Sequence, residues 1–378
     1  MMTLGRRSLL TGTVAALGSA AFARGSLAAD TVYVGVSGPL TGPNAQYGAQ
    51  WKDAFDLALE QVNPTAAHKV AYLFEDSQSD PRQSVAVAQK FVNDSRIIME
   101  LGDFSSTASM AASPIYQRAK LVQFGFTNSH PDFTKGGDYM WSNSISQAEE
   151  QPSLAAYAIN DLGRRRLGVI HLNTDWGATS KNLFSAAVAE KGGVVTAAEG
   201  FLPNERDFRS TLVRIRDSNP DGIVVIAYYA DAATIIRQIH TLGLTQPIIC
   251  VSSVYSPKLI ELGGDAVNGI YTLSNFFPGE QRAEVQRFVG DFQAKYHREP
   301  DNFNANAYDT MMLVSKLVNT YGTTRAAIRE GLPQVSVPSV IYGTIRFDPD
   351  TRRVSGAQYK KLTVKDGAFA MFDGITPA

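Results

Sequence analysis

Cysteine is nearly absent from this chain of 378 residues. Cys250 stands alone, so no internal disulfide can form and folding must rest on apolar cores. Histidine is scarce as well: His68, His130, His171, His240 and His297 are scattered, with neither the two-histidine helical spacing nor the cysteine pairs of a metal site. Neither sign of charge is in surplus, since 35 basic residues face 36 acidic ones. Without a basic excess to neutralise phosphates, the composition argues against a nucleic-acid partner. No serine sits in a hydrolase-type glycine elbow, and no glycine loop ends in Lys followed by Ser or Thr. Gly35, Gly38 and Gly42 have the wrong spacing for a dinucleotide fingerprint. Nothing here assigns a catalytic residue, a metal or a cofactor.

What is present begins with a charge asymmetry. Residues 1–29 carry Arg6, Arg7 and Arg24 but no acid, and the apolar stretch from Leu9 to Phe22 falls short of the roughly 20 residues a spanning helix needs. Residues 1–28 therefore read as a removable export signal. Arg6 and Arg7 before Ser8, Leu9 and Leu10 look like a twin-arginine signal, with a general secretory signal as the alternative; either sends the chain to the periplasm, with cleavage expected after Ala28. Loss of three arginines takes the formal net charge from -1 to -1 - 3 = -4. With 44% apolar and 10% aromatic residues, the rest has ordinary globular composition, and its length suggests two domains.

Short β-branched runs alternate with amphipathic stretches. Strands are expected at Thr31–Val36, Val70–Phe74, Ile97–Leu101 and Leu121–Phe126, with helices at Gln50–Val62, Pro81–Asn93 and Ala108–Arg118 between them. Trp51, Ala54, Phe55, Ala58, Leu59 and Val62 form one apolar helical face. After Trp141–Ser146 the alternation restarts: helix Ser153–Leu162, strand Leu167–Leu172, helix Ala178–Glu190, strand Val194–Ala198, helix Phe208–Asp217, strand Gly222–Tyr228, helix Asp231–Leu242 and strand Pro247–Val251. From Glu280 it turns mostly helical, then β-rich over 340–372. The expected fold is α/β, with two Rossmann-like lobes built on parallel sheets. One lobe takes 29–146 plus 280–345 and the other 147–279 plus 346–378; a boundary with no floppy linker implies several crossings, hence a hinge.

In such sheets ligands sit beyond the carboxyl ends of strands. Four strand ends carry suitable residues: Ser37–Gly48, with Tyr47; Gly102–Thr107, with Phe104, Ser105 and Ser106; Gly125–Asn128, with Thr127; and, across the expected cleft, Asp175–Gly177 with Tyr228 and Tyr229. Hydroxyls at a helix start either cap it or, with free N–H groups, hold a carboxylate. The aromatics either pack as core or form an apolar pocket with a few polar anchors.

At these residues the sequence resembles the leucine, isoleucine and valine binding proteins, the periplasmic solute receptors of ABC importers. The likeness is collinear over nearly all of 30–378 and strongest in GPLTGPNAQYG (Gly38–Gly48), SSTASMAASPIY (Ser105–Tyr116), Thr127 with Asn128, Asp175–Gly177 and Tyr228–Leu244. It implies lobes joined by three crossovers that close on ligand, a monomeric receptor, and membrane permease subunits as partners. It also implies Ser106 as receiver of a ligand carboxylate, Gly125 and Thr127 completing that grip, and Tyr47, Trp176, Tyr228 and Phe303 as pocket wall. Two positions depart from the pattern. Ser79 and Ser105 replace a disulfide pair found in several relatives, and Ser252 replaces the glutamate that pairs with the ligand ammonium. Trp51 is either a wall residue or core.

The expected ligand is a small carboxylate with an apolar or aromatic body lacking an ammonium, ahead of a hydrophobic amino acid, for which Asp175 or Asp231 would have to supply the missing acid. Two other classes share these features: a secreted cofactor-dependent enzyme, and a sensory module feeding a membrane kinase.

Overall fold

A computed structural model of the chain describes residues 30–354, 356 and 358–374; the expected export signal lies outside them. The first lobe winds as β1 (Thr31–Gly38), α1 (Ala45–Val62), β2 (Lys69–Asp76), α2 (Pro81–Asn93), β3 (Ile97–Gly102), α3 (Ser106–Arg118), β4 (Val122–Phe124) and β5 (Met140–Trp141). Its strands pair in parallel in the order β2-β1-β3-β4-β5. α1 lays Trp51, Ala54, Phe55 and Ala58 on one face of this sheet, all fully buried, and each large apolar side chain so placed contributes roughly 1.5–3 kcal/mol. α2 and α3 cover the other face with Val87, Phe91, Ile115 and Tyr116.

The second lobe follows as α4 (Gln147–Ala156), β6 (Arg166–Leu172), α5 (Asp175–Glu190), β7 (Val194–Phe201), α6 (Arg209–Asp217), β8 (Gly222–Ile226), α7 (Tyr229–Thr241), β9 (Ile248–Cys250), α8 (Pro257–Gly263) and β10 (Tyr271–Ser274). The chain then returns to the first lobe through α9 (Ala283–Tyr296), α10 (Asn302–Tyr321), which packs along α1, α11 (Arg325–Gly331), and the small hairpin of β11 (Val337–Ser339) and β12 (Gly343–Ile345). It ends in β13 (Lys360–Lys365) and β14 (Ala368–Met371), which extend the second sheet to β14-β13-β10-β9-β8-β6-β7. That sheet is parallel from β7 to β10, whereas β13 and β14 join antiparallel. Neither α8 nor β10 was foreseen: each is short and lies where the strand-helix alternation breaks.

Among the described residues the chain passes between the sheets three times, around Asn143, Asn275 and Arg353. The passages are tied to one another. Tyr342 hydrogen-bonds the Asn143 carbonyl, Arg282 bonds the Val340 carbonyl at 2.6 Å, and the buried Arg353 guanidinium bonds the Ser144 carbonyl at 3.3 Å. These ties make the junction an articulated unit rather than three loose strings.

Candidate functional site

The three passages converge beneath a cavity of about 60 Å3 between the lobes. Ser144 and Ile145, Asn275 and Tyr359 supply its floor, one passage each. The first lobe contributes Phe104, Thr127 and Phe303, the second Trp176, Tyr228 and Ser252. Tyr228 also borders a wider outer cleft of about 390 Å3, which Ser79, Ser105 and Asp231 line. Its ring therefore borders both spaces.

Local sequence explains how the aromatics are held. A Cβ on Gly177 would lie 1.9 Å from the Leu172 carbonyl oxygen, so glycine allows the start of α5 to approach the end of β6 and turns Trp176 inward. Gln147 on α4 fastens that turn by donating to the Trp176 carbonyl at 2.8 Å. The Trp176 ring stacks on Tyr228 at 4.8 Å between centroids, Tyr228 meets Phe104 at 4.7 Å, and Phe104 stacks on Tyr47 at 3.6 Å. Hydrogen bonds run across the cleft as well. Trp176 Nε1 donates to Ser129 Oγ at 3.1 Å, the Tyr47 hydroxyl to the Ser253 carbonyl at 2.8 Å, and the Tyr229 hydroxyl to the Pro43 carbonyl at 2.8 Å. The lobes are therefore closed on each other.

Of the thirteen candidate residues, Phe104, Thr127, Trp176, Tyr228, Ser252 and Phe303 line the cavity. The Thr127 hydroxyl is buried without a partner among the described residues, a state that costs free energy unless a ligand completes it. Tyr47 and Tyr229 lie behind the wall as clasps between lobes. Ser106 is buried at the first turn of α3 but outside the cavity lining, while Ser105 is the helix cap, accepting the Ala108 N–H at 3.3 Å. Gly125 has both backbone groups engaged: its N–H donates to the Trp141 carbonyl at 2.9 Å and its oxygen accepts from Ser142 Oγ at 2.6 Å. It therefore has no free N–H to complete a carboxylate grip. Trp51 belongs to the core, packed on Phe126 and on the bare backbone of Gly38.

The expectation of a pocket without an acid is overturned. Asp175 is exposed at the start of α5, and Asp231 faces the outer cleft, 3.8 Å from Arg206. Glu150, which sequence reasoning missed, lines the inner cavity and is only 4% exposed. Ser146 and Glu149 form a reciprocal cap that starts α4 earlier than apolar periodicity suggests and brings Glu150 beside the end of β9. There Glu150 Oε1 accepts the Ser252 N–H at 2.7 Å. Burial pushes its carboxyl above the usual range, and hydrogen bonds from the Ser252 hydroxyl and N–H draw it back. Asn275, Asn302 and Asn306 each present a buried carbonyl oxygen with no partner among the described residues. No three-residue His, Cys, Asp or Glu group able to hold a metal exists among those residues.

Residues 31–371 match the periplasmic binding protein family. The chain belongs to that family, in its leucine/isoleucine/valine-binding class. As a periplasmic binding protein it is similar to Leu/Ile/Val-binding protein homolog 1 of Brucella abortus, with 26% identity over 96% of this chain and 98% of the relative. Its fold resembles that of a leucine binding protein, LivK, from Thermotoga maritima at a TM-score of 0.84, with 24% identity over 90% of this chain and 97% of the other. It likewise resembles a solute binding protein of an ABC transporter from R. palustris in complex with 4-hydroxybenzoate, at a TM-score of 0.83 and 21% identity over 91% of this chain and 96% of the other. Periplasmic binding proteins of this class are the substrate-binding components of ABC transporters.

Proposed function

We propose that this protein is the non-enzymatic, periplasmic receptor of an ABC importer and that it closes its lobes on one small carboxylate with an apolar or aromatic body. The observation that carries the reading is the cavity at the junction of the three passages, with its wall divided between the lobes. A ligand held on one wall alone would stay half solvated, so closure and binding reinforce each other. The unpartnered Thr127 hydroxyl marks the anion end, while Trp176, Tyr228 and Phe303 take the apolar body. A free, monomeric receptor would deliver the ligand to membrane permease subunits.

The test is calorimetry against hydrophobic amino acids, their 2-oxo analogues and simple aromatic acids, with mass spectrometry of any small molecule that co-purifies. The expected outcome is saturable 1:1 binding of at least one carboxylate, with a raised melting temperature. Absence of binding across the whole panel overturns the receptor assignment for this ligand class.

A further inference from the structure

Beside the cavity the lobes meet at a histidine. The loop after β4 carries Ser129 and His130, and two residues one turn apart on α5 reach it from the second lobe. Trp176 Nε1 donates to Ser129 Oγ at 3.1 Å, and His130 Nε2 lies 3.0 Å from Thr179 Oγ1. His130 is only 4% exposed. Its other ring nitrogen, Nδ1, accepts the Asp132 backbone N–H at 3.1 Å. A backbone N–H can only donate, so Nδ1 carries no proton, the ring is neutral, and Nε2 is the donor to Thr179. Resting on the receptor reading above, we infer that His130 is a pH-sensitive latch between the lobes, holding them closed when neutral and releasing them when it takes a proton.

The neighbours of the ring decide the direction. A proton on Nδ1 would set two N–H groups against each other and leave a cation in a site nearly closed to water. Four charged groups face the ring. Asp132 on its own loop and Asp175 at the start of α5 favour the cation, whereas Lys135 on the same loop and Arg353 of the third passage, which hydrogen-bonds the His130 carbonyl, oppose it. The Asp132 carboxylate is already committed to Lys135 at 2.6 Å, and Asp175 is exposed. Burial outweighs both acids and holds the imidazole below its ordinary value of 6.5. Parting the lobes takes Thr179 away and admits water, which returns the ring toward that value. The open form therefore binds more protons than the closed one, so closure is fully favoured above the ordinary value and loses ground as pH falls below it. One proton sets the limit, about tenfold in affinity per pH unit.

Calorimetry at about pH 5 and about pH 8 tests this on the tightest binder among leucine, phenylalanine, their 2-oxo analogues and 4-hydroxybenzoate, with the wild-type protein and with His130→Gln. Glutamine offers a donor and an acceptor but cannot titrate, and comparison with it cancels pH effects that come from the probe or from Glu150. On acidification the wild-type affinity should fall several-fold more than that of His130→Gln, up to a ceiling of about 30-fold. Equal pH dependence in the two proteins overturns the latch and leaves the receptor reading standing. Should the variant misfold, NMR titration of the His130 ring in the wild type decides: the ring should titrate at lower pH with the probe bound than without it, and equal midpoints overturn the latch. No binding by any of the panel overturns both.

Discussion

Trp51 and Trp176 lie on the helices that follow the first strand of each lobe, and both are buried. Trp51 meets only its own lobe, resting on Gly38, Phe74 and Phe126. Trp176 reaches over the boundary, hydrogen-bonding Ser129 and sharing a cavity wall with Phe104 and Phe303. Two buried acids divide in the same manner. Asp309 is satisfied within the protein by Ser339, by the Val340 N–H at 2.9 Å and by the Ile341 N–H at 3.3 Å, whereas Glu150 faces open space. Burial and residue type therefore do not separate core from site; the location of a side chain's partners, and whether they are complete, does.

The sharpest break of this comparison is Trp51→Ala. Emptying that packed site should cost roughly 3–5 kcal/mol of stability, read from urea unfolding, while ligand affinity per folded molecule stays unchanged. A large affinity loss would move Trp51 into the site.

The buried acids offer a pH test of nearly that size. Burial holds the Asp309 carboxyl up at about 7 against an ordinary value of 3.8, with its hydrogen bonds drawing it part of the way back. Between those values the native state keeps a proton the unfolded chain has released, so this contribution to stability is complete at low pH and is lost as pH rises toward 7. The loss is on the order of 2–4 kcal/mol. Asp309→Asn cannot titrate and should flatten stability against pH across this window, whatever its offset; an unaltered slope would refute the assignment.

Trp176→Ala should invert the Trp51 result, weakening ligand binding by roughly 10- to 100-fold through lost stacking with a smaller loss of stability. Thr127→Val keeps the shape and removes the unpartnered hydroxyl. It should weaken a carboxylate ligand by about tenfold with little change in melting temperature, and equal affinity in calorimetry would place the anion elsewhere.

Legibility in the sequence followed the same division. The helix expected at Pro81–Asn93 has those bounds because Asp80 and Pro81 signal its start openly, the Asp80 carboxylate accepting the Arg82 and Gln83 N–H groups. α1 begins at Ala45 rather than Gln50, so that Tyr47 is helical, and since Asn44 makes no side-chain cap no capping bond marks this earlier start. α4 begins at Gln147 rather than Ser153, since its first turn, with Gln147, Glu149, Glu150 and Gln151, is polar and carries no apolar period. Glu150 in that turn lines the cavity, Gln147 and Gln151 bond Ser180 on α5 and Glu149 is exposed, so the rule that finds helices by their apolar face passed over the acid of the site. The Ser146-x-x-Glu149 cap was the available signal. The antiparallel direction of β13 and β14 had no signal in the strand-helix alternation, because these strands complete a sheet begun some two hundred residues earlier.

The central claim is that two incomplete walls close on one ligand. Small-angle scattering of the protein, first stripped of any co-purified small molecule and then saturated with the tightest carboxylate found by calorimetry, tests it most directly. The account predicts a smaller radius of gyration and a more compact profile with ligand; superimposable profiles at saturation would contradict it.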